Sequence, residues 1–315
     1  MLFRFLHIKS IRFNLELFLE NKMTRHLKVP VINSISGNPL ALKQDSEEGN
    51  IKCLLLIKDI PSYLTVFPNT TTNQYTFKSI AQYQGFLINL SQYGSLEAYL
   101  KTQLSKRNIK NLVAKQKKLE AAHQIRYEVF NGPLDKQTYE VLFEAFYNML
   151  LTRFQQKKID NRYLSQWNQL KLDTYRNLLH KKASLHVIFS DETPITITLN
   201  YHLEDITFSH IQAYNIRYAA YNMGDIAMLK QLEWCFEQQK KVFDMSIGQT
   251  AYKTKWCYQA YTSNYLVCYP KKSMLSSISA HVVVLGLIMK QHLRNYNIIG
   301  HTWSIDALKY KLNRH

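Results

Sequence analysis

Residues 208–256 read F-S-H-I-Q-A-Y-N-I-R-Y-A-A-Y-N-M-G-D-I-A-M-L-K-Q-L-E-W-C-F-E-Q-Q-K-K-V-F-D-M-S-I-G-Q-T-A-Y-K-T-K-W. The pattern predicts a strand, a loop closed by Gly224, an amphipathic helix, a short strand ending at Asp244 and a polar turn. The first amides of a helix lack intrahelical partners, and the helix dipole favours negative charge there. The sequence therefore predicts an anion site, suited to a pyrophosphate, at the start of this helix. The residues expected to form it are Asn222, Met223, Gly224 and Asp225.

The continuation of this stretch has a characteristic spacing, Asp244-x-x-x-Gly248-x-x-x-Tyr252-Lys253, followed by Trp256. It resembles the D-F-[GS]-[KR]-G-x-x-x-Y-K-x-x-[WF] signature of the CelD-like acetyltransferases. This GNAT-like family is associated with cellulose and exopolysaccharide biosynthesis and is related to the Fem-type peptidoglycan aminoacyltransferases. The segments S-K-R-N-I-K at 105–110 and K-L-E at 118–120 agree with it, and the resemblance spans about residues 83–269.

Periodicity along the chain predicts the elements independently of that resemblance. Apolar residues spaced three and four positions apart predict helices, and short apolar runs between turn residues predict strands. The expected helices are 96–104, 106–122, 136–154 and 163–180. The expected strands are 51–60, 86–90 and an antiparallel meander of 184–190, 195–201 and 206–214.

The resemblance implies an α/β (α+β) chain with a GNAT-like fold: a mixed, mostly antiparallel twisted sheet flanked by helices, built as two GNAT-like halves. Residues 1–130 are expected to form a degenerate N-terminal half. Residues 131–272 then form the acetyltransferase half, and 273–315 a helical extension. Internal similarity between the two halves is not visible in the sequence.

The resemblance also assigns roles to individual residues. Tyr214, at a strand end, offers its backbone to the acyl carbonyl, and Tyr252 offers its hydroxyl to the departing sulfur; packing is the alternative for Tyr252. Asp244 serves as a base or orients Lys253. His210 is a base candidate if it faces the cleft. The substrate-binding candidates, expected to converge on the 244–253 turn, are Ser105, Arg107 and Lys110.

One position departs from the family pattern. Ile247 stands where relatives place Arg or Lys before the turn glycine, with Lys253 and Lys255 nearby to compensate. The expected activity is transfer of an acetyl or other acyl group from acyl-CoA to an amine or hydroxyl. The acceptor is a small molecule or a glycan precursor of the cell envelope. A tRNA-dependent Fem-like transferase and a non-catalytic binding module that kept the fold remain open.

Composition limits the choice of partners. The net charge of +17, from 40 basic against 23 acidic residues, favours anionic partners: a nucleotide, an acidic glycan, tRNA or an anionic membrane surface. No metal motif, nucleophile elbow, Walker loop or glycosidase-like carboxylate pair supports a metal site, hydrolase or kinase.

The location is expected to be cytoplasmic. The four cysteines show no paired spacing, and the N-terminus lacks the features of a secretory signal. The apolar run 279–289 is too short to cross a bilayer. It suits a core or capping helix, or a helix lying on the inner face of the membrane.

Overall fold

The protein is described by a computed structural model over residues 8–45, 50–69, 73–159, 161–296 and 298. The chain divides into two compact units. Within the described residues, unit 1 comprises the chain up to Leu87, Ile247–Thr250 and the chain from Gln259 onward. Unit 2 comprises Ile88–Ser246 and Ala251–Tyr258. Residues 88–130 lie in unit 2 and Gln259–Pro270 in unit 1, and the expected domain boundaries at 130 and 272 stay a prediction.

The regular elements follow the chain in this order. The helices are α1 Phe13–Leu15, α2 Leu96–Gln103, α3 Lys106–Ala122, α4 Lys136–Lys157, α5 Arg162–Ser165, α6 Trp167–Leu179, α7 Met223–Glu237, α8 Ala251–Trp256 and α9 Met274–Asn295. The strands are β1 Ile8–Arg12, β2 Lys22–Met23, β3 Val31–Asn33, β4 Pro39–Leu40, β5 Lys43–Gln44, β6 Leu54–Pro61, β7 Leu64–Thr65, β8 Tyr75–Asn89, β9 Ile125–Phe130, β10 Ala183–Ser190, β11 Thr193–Leu203, β12 Ile206–Tyr214, β13 Val242–Ile247 and β14 Gln259–Pro270.

Unit 1 is built on the strand order β1-β6-β14-β8. β1 pairs with β6 in parallel, and β14 pairs with both β6 and β8 antiparallel. Helix α9 covers this sheet, because Ala280, Val283 and Leu287 pack with the strand residues Leu56 and Val267 in one buried cluster. The 15-residue β8 is longer than the 86–90 segment expected from sequence.

Unit 2 is built on the strand order β13-β12-β11-β10-β9. The predicted meander is confirmed: β10, β11 and β12 pair antiparallel, and β9 joins the free edge of β10. β13 pairs with β12 in parallel. Helices α4 and α7 bury apolar stripes, with Phe143, Phe146 and Leu232 fully inaccessible to solvent. The expected fold class, a mixed and mostly antiparallel sheet flanked by helices, is thus confirmed.

Three element predictions are corrected by the structure. β13 does not end at Asp244 but continues to Ile247. The expected polar turn before Trp256 contains helix α8, which sequence periodicity cannot register because it is six residues long. The expected helix 163–180 is broken at Gln166 into α5 and α6.

Two buried histidines make the stability of unit 2 sensitive to acid. Burial lowers the pKa of His186 to about 3 and that of His202 well below its usual value. His202 is held by Ser184 and Thr207, whereas neither ring nitrogen of His186 has a hydrogen-bond partner within the described chain. Both rings contact Trp234, His186 edge-on and His202 at a tilt of 39°. They stay neutral in the folded state and become protonated once the chain unfolds.

The free energy of unfolding is therefore expected to fall as the pH drops below about 6.5, where only the unfolded state takes up these protons. Each histidine contributes about 1.4 kcal/mol per pH unit over this range. Replacing His186 by Leu removes one such contribution without leaving an unpaired polar atom. Urea unfolding at several pH values should show a shallower acid slope for His186→Leu than for the wild type. An unchanged slope would contradict the assignment.

Candidate functional site

A β-bulge opens the sheet of unit 2 beside helix α7. Ser209 pairs with Asn200 and Ile211 with Leu199, so His210 is the extra residue. In the two fully described strands, the pairing of β12 with β13 stops at Phe208 and Asp244. Bulges bend the strand that carries them and are common next to active sites. The end of β12 consequently diverges from β13.

A cleft of about 450 Å³ lies at the end of β12 and the start of α7. Asn222 precedes the helix in the left-handed conformation, with φ of 57°, and its carbonyl accepts from the amide of Asp225 at 2.9 Å. The amides of Met223 and Gly224 begin the helix and so lack intrahelical partners. The residues lining the cleft are Arg153, Gln212, Tyr214, Ala219, Asn222, Met223, Gly224, Asp225 and Tyr252.

Helix α8 closes one side of this cleft, and its side chains explain the spacing of the sequence motif. The Tyr252 hydroxyl donates to the Gly224 carbonyl at 2.8 Å. The Lys253 amine donates to the Ser246 carbonyl at 3.0 Å. The fully buried Trp256 donates from Nε1 to Asp225 at 3.0 Å. Three motif residues therefore attach α8 to the start of α7 and to the end of β13.

Helix α2 holds the same short helix from its other end. The buried Tyr99 hydroxyl donates to the Trp256 carbonyl, and the Gln103 amide donates to the Lys255 carbonyl at 3.0 Å. Because α8 is too short to be stable alone, these contacts fix its position.

Asp225 is paired and does not face the cleft as a bare anion. Its carboxylate accepts from Lys255 at 2.5 Å and from Trp256. The pairing neutralises a carboxylate in the first turn of α7, where it would otherwise repel a phosphate. Lys255 is thus occupied at Asp225, and Lys253 at Ser246, so both candidates to compensate for Ile247 are already engaged.

Asp244 is completely buried within β13. Its Oδ1 accepts from the Ser246 amide at 2.6 Å and supports Ser246 in the left-handed region, with φ of 68°. Burial lowers the pKa of Lys253, and the charge of Asp244 opposes that shift. Of the two roles considered for Asp244, a base or a residue that orients Lys253, this environment favours the second.

Other candidates lie at varying distances from the chemistry. His210 contacts the rings of Tyr163, Tyr201 and Phe208, and the centroids of the two tyrosine rings lie 5.1 Å from its own. The residues of β12 that line the cleft are Gln212 and Tyr214, and His210 is not among the lining residues. Ser105 caps α3 by accepting from the Asn108 amide at 3.2 Å.

Arg107 and Lys110 are exposed on α3, and neither is among the residues that line the cleft. A different cation of α3, Lys115, contacts the loop before α7 by donating to the Ala220 carbonyl at 2.7 Å. The substrate-binding roles of Ser105, Arg107 and Lys110 stay predictions.

Sequence reasoning missed three residues of the cleft, Ala219 and two polar ones. Gln212 of β12 donates to the Gly224 carbonyl at 3.4 Å. Arg153 of α4 places its guanidinium 5.0 Å from the centre of the Tyr214 ring. Arg153 lies three positions after the buried Leu150 and four after the buried Met149, which places it on the apolar side of α4. An arginine on that side of a helix is the pattern in the sequence that could have identified it.

A larger cleft of about 1040 Å³ lies along α4 and α6 around Trp167. It contains none of the residues of the sequence motif, so the cleft at the start of α7 is the candidate active site.

Residues 106–254 match the model of a family described as an acetyltransferase (GNAT) domain. This stretch, just under half of the chain, is similar to a GNAT acetyltransferase domain. The bulged strand, the following helix and the parallel strand described above all lie inside the matched residues. The protein is accordingly an acyltransferase enzyme, as expected from its sequence.

Several solved structures are similar to this chain. The crystal structure of FemX is 8% identical and covers 72% of this chain and 74% of its own, with a TM-score of 0.50. The structure of L-PGS from Bacillus licheniformis is 14% identical and covers 75% of this chain and 74% of its own, with a TM-score of 0.44. A tandem GNAT protein from the clavulanic acid biosynthesis pathway is 7% identical and covers 68% of this chain and 63% of its own, with a TM-score of 0.35. No curated protein sequence matches the chain.

Proposed function

We propose that the GNAT domain transfers an acetyl or other acyl group from acyl-CoA to an amine or hydroxyl. The observation that carries the proposal is the cleft at the start of α7. It combines free helix amides, a guanidinium and the hydroxyl of a half-buried tyrosine in one place. A pyrophosphate and a thioester need these groups and few others.

The charges that line the cleft indicate whether it can bind the phosphates of CoA. The α7 amides favour a phosphate group, and Arg153 adds a full positive charge. The opposing carboxylate of Asp225 is neutralised by Lys255. Arg153 supplies, from another helix, the cation that relatives carry at the position of Ile247. The residues present are therefore compatible with a nucleotide-linked acyl donor.

The acceptor is proposed to be a small molecule or a glycan precursor of the cell envelope. This narrower assignment, like membership of the CelD-like family, is supported by the motif from Asp244 to Trp256 and by the exposed cations of α3. Acidic or phosphorylated acceptors would suit the net charge of +17.

A thermal-shift titration with acetyl-CoA, longer acyl-CoAs and tRNA tests the donor. A ligand present at 100 times its dissociation constant stabilises the folded state by about 2.7 kcal/mol. The proposal expects stabilisation by an acyl-CoA. Stabilisation by aminoacyl-tRNA alone, with a steep loss of affinity on adding salt, would favour the Fem-like alternative.

Gly224 provides a site for a blocking variant. A Cβ at this position would lie 3.7 Å from the Tyr252 ring and 3.8 Å from the Gln212 amide, which are ordinary contacts, and its φ is not positive. The backbone at Gly224 would therefore accept a Cβ, and a larger side chain there would occupy space in the cleft.

Gly224→Val is expected to weaken acyl-CoA binding at least about tenfold, because the side chain occupies the space beside the helix amides. Stability should change by less than about 1 kcal/mol. Gly94→Val is the matched control, since a Cβ there meets nothing within 4 Å. Calorimetric titration of both variants provides the measurement. Equal acyl-CoA affinity in Gly224→Val and the wild type would place the donor elsewhere.

A further inference from the structure

Helix α9 of unit 1 has two opposite apolar faces. One face is buried: Ser276, Ala280, Val283 and Leu287 point into the sheet. The other face is exposed within the described part of the chain. Its apolar residues are between 43% and 77% accessible and recur at three and four positions. They are Leu275, Ile278, Val282, Leu285 and Met289.

This exposed stripe is continuous over the helix and is extended by Met274 and Ile288, which are also exposed. Single apolar residues on a surface are normal, but a contiguous patch marks a contact with another molecule or a membrane. The helix is held firmly in this orientation. The Gln82 amide donates to the Leu287 carbonyl at 3.1 Å, and Arg294 donates to Gln82 and to the Tyr83 hydroxyl.

Both ends of the stripe carry positive charge. Lys271 and Lys272 precede the helix, and both are exposed. Lys290 follows the last residue of the stripe at its other end and is exposed. Burial, then the charges of Arg294 and Lys58, lower the pKa of Lys290. The helix itself contains neither Asp nor Glu.

We propose that α9 docks unit 1 onto an anionic membrane surface. The stripe from Leu275 to Met289 enters the boundary between headgroups and acyl chains, and the cations at both ends bind lipid phosphates. An apolar face with flanking cations is the arrangement of helices that lie in this boundary.

The charges argue against a second copy of this chain as the occupant. An antiparallel pair of α9 helices would bring Lys271 and Lys272 of one copy towards Lys290 of the other. A parallel pair would bring like residues together. Either arrangement places cations side by side without carboxylates from the helix, which opposes association.

The helix is also expected to lie on the membrane and not to cross it. Among the described residues, α9 is the helix long and apolar enough to span a bilayer, with a mean hydropathy of 1.4. Spanning would remove Ala280, Val283 and Leu287 from the buried cluster and expose the strand residues beneath them. Lying flat keeps this face packed and covers the other.

Vesicle sedimentation tests the proposal with the full chain. Binding to vesicles of phosphatidylcholine and phosphatidylglycerol should be at least about tenfold stronger than to phosphatidylcholine alone, and added salt should weaken it. The apolar variant Leu275→Ser/Leu285→Ser/Met289→Ser and the charge variant Lys271→Glu/Lys272→Glu should each lose about tenfold or more.

Matched controls lie in unit 2. Val141→Ser/Leu172→Ser changes two residues of similar exposure, and Lys117→Glu/Lys118→Glu makes the same change of charge on α3. Both should bind within about twofold of the wild type, and circular dichroism should show all variants folded. Equal binding to neutral vesicles, or equal losses in the controls, would overturn the proposal. So would resistance to alkaline extraction, which indicates a spanning helix, or a concentration-dependent dimer abolished by the apolar variant without vesicle binding.

Discussion

Tyr252→Phe is expected to lower turnover by about tenfold to a thousandfold while leaving the affinity for the acyl donor nearly unchanged. When the thioester carbon–sulfur bond breaks, the departing thiolate needs a proton or a strong hydrogen bond. Burial, followed by the nearby charge of Asp225, raises the pKa of Tyr252 well above its usual value. The hydroxyl therefore stays protonated at neutral pH, beside the cleft, where it donates to the Gly224 carbonyl.

Steady-state kinetics with the preferred acyl-CoA measure the effect as a fall in kcat at similar KM. The lost hydrogen bond also costs about 1 kcal/mol of stability. Tyr139→Phe is the matched control, since it removes a buried hydroxyl bonded to the Lys171 carbonyl, away from the cleft. Full turnover in Tyr252→Phe would leave this tyrosine with a packing role.

Asp244→Ala is expected to reduce the free energy of unfolding by about 3 kcal/mol, because it removes one partner of a buried charged arrangement. The Ser246 amide loses its acceptor, and the desolvated Lys253 loses an opposing charge. Since Ser246 and Lys253 position α8, activity should fall as well. Asp244→Asn keeps a side-chain oxygen for the Ser246 amide and should be less damaging.

Chemical denaturation measures this loss, with Asp173→Ala as the control. Asp173 pairs with the exposed Arg176 on the surface of α6, and pairs of this kind contribute less than about 1 kcal/mol. A loss in Asp244→Ala no greater than that of Asp173→Ala would show that the buried carboxylate does not organise the site.

Local chemistry allowed much of unit 2 to be predicted from sequence. The bounds of α3 agree with the expected 106–122, because an amphipathic repeat and a capping serine at Ser105 mark its start. Ser95 caps α2 in the same way. Residues with positive φ, Asp191 and Glu204, occupy the tight turns of the meander. The Asp244 to Trp256 spacing pointed to a segment whose side chains bind the start of α7 beside the cleft.

The sequence did not predict the short helix α8, and it placed the end of strand β13 too early. Helix α8 has no periodicity of its own and exists through the contacts of Tyr99, Gln103 and Asp225. β13 runs past Asp244 although a buried Asp in a strand looks like its end. These outcomes depend on partners distant in sequence.

The sequence by itself determined the class of fold, the longer helices and the antiparallel meander of unit 2, and the segment that carries the motif, because turns, caps and periodicity act between near neighbours. Only the tertiary structure decided which side chains meet. The bulge at His210, the arrival of Arg153 in the cleft and the exposed face of α9 all depend on how separate elements pack. No local pattern encodes these contacts, since each joins residues that the chain brings together only when the sheet of each unit has formed.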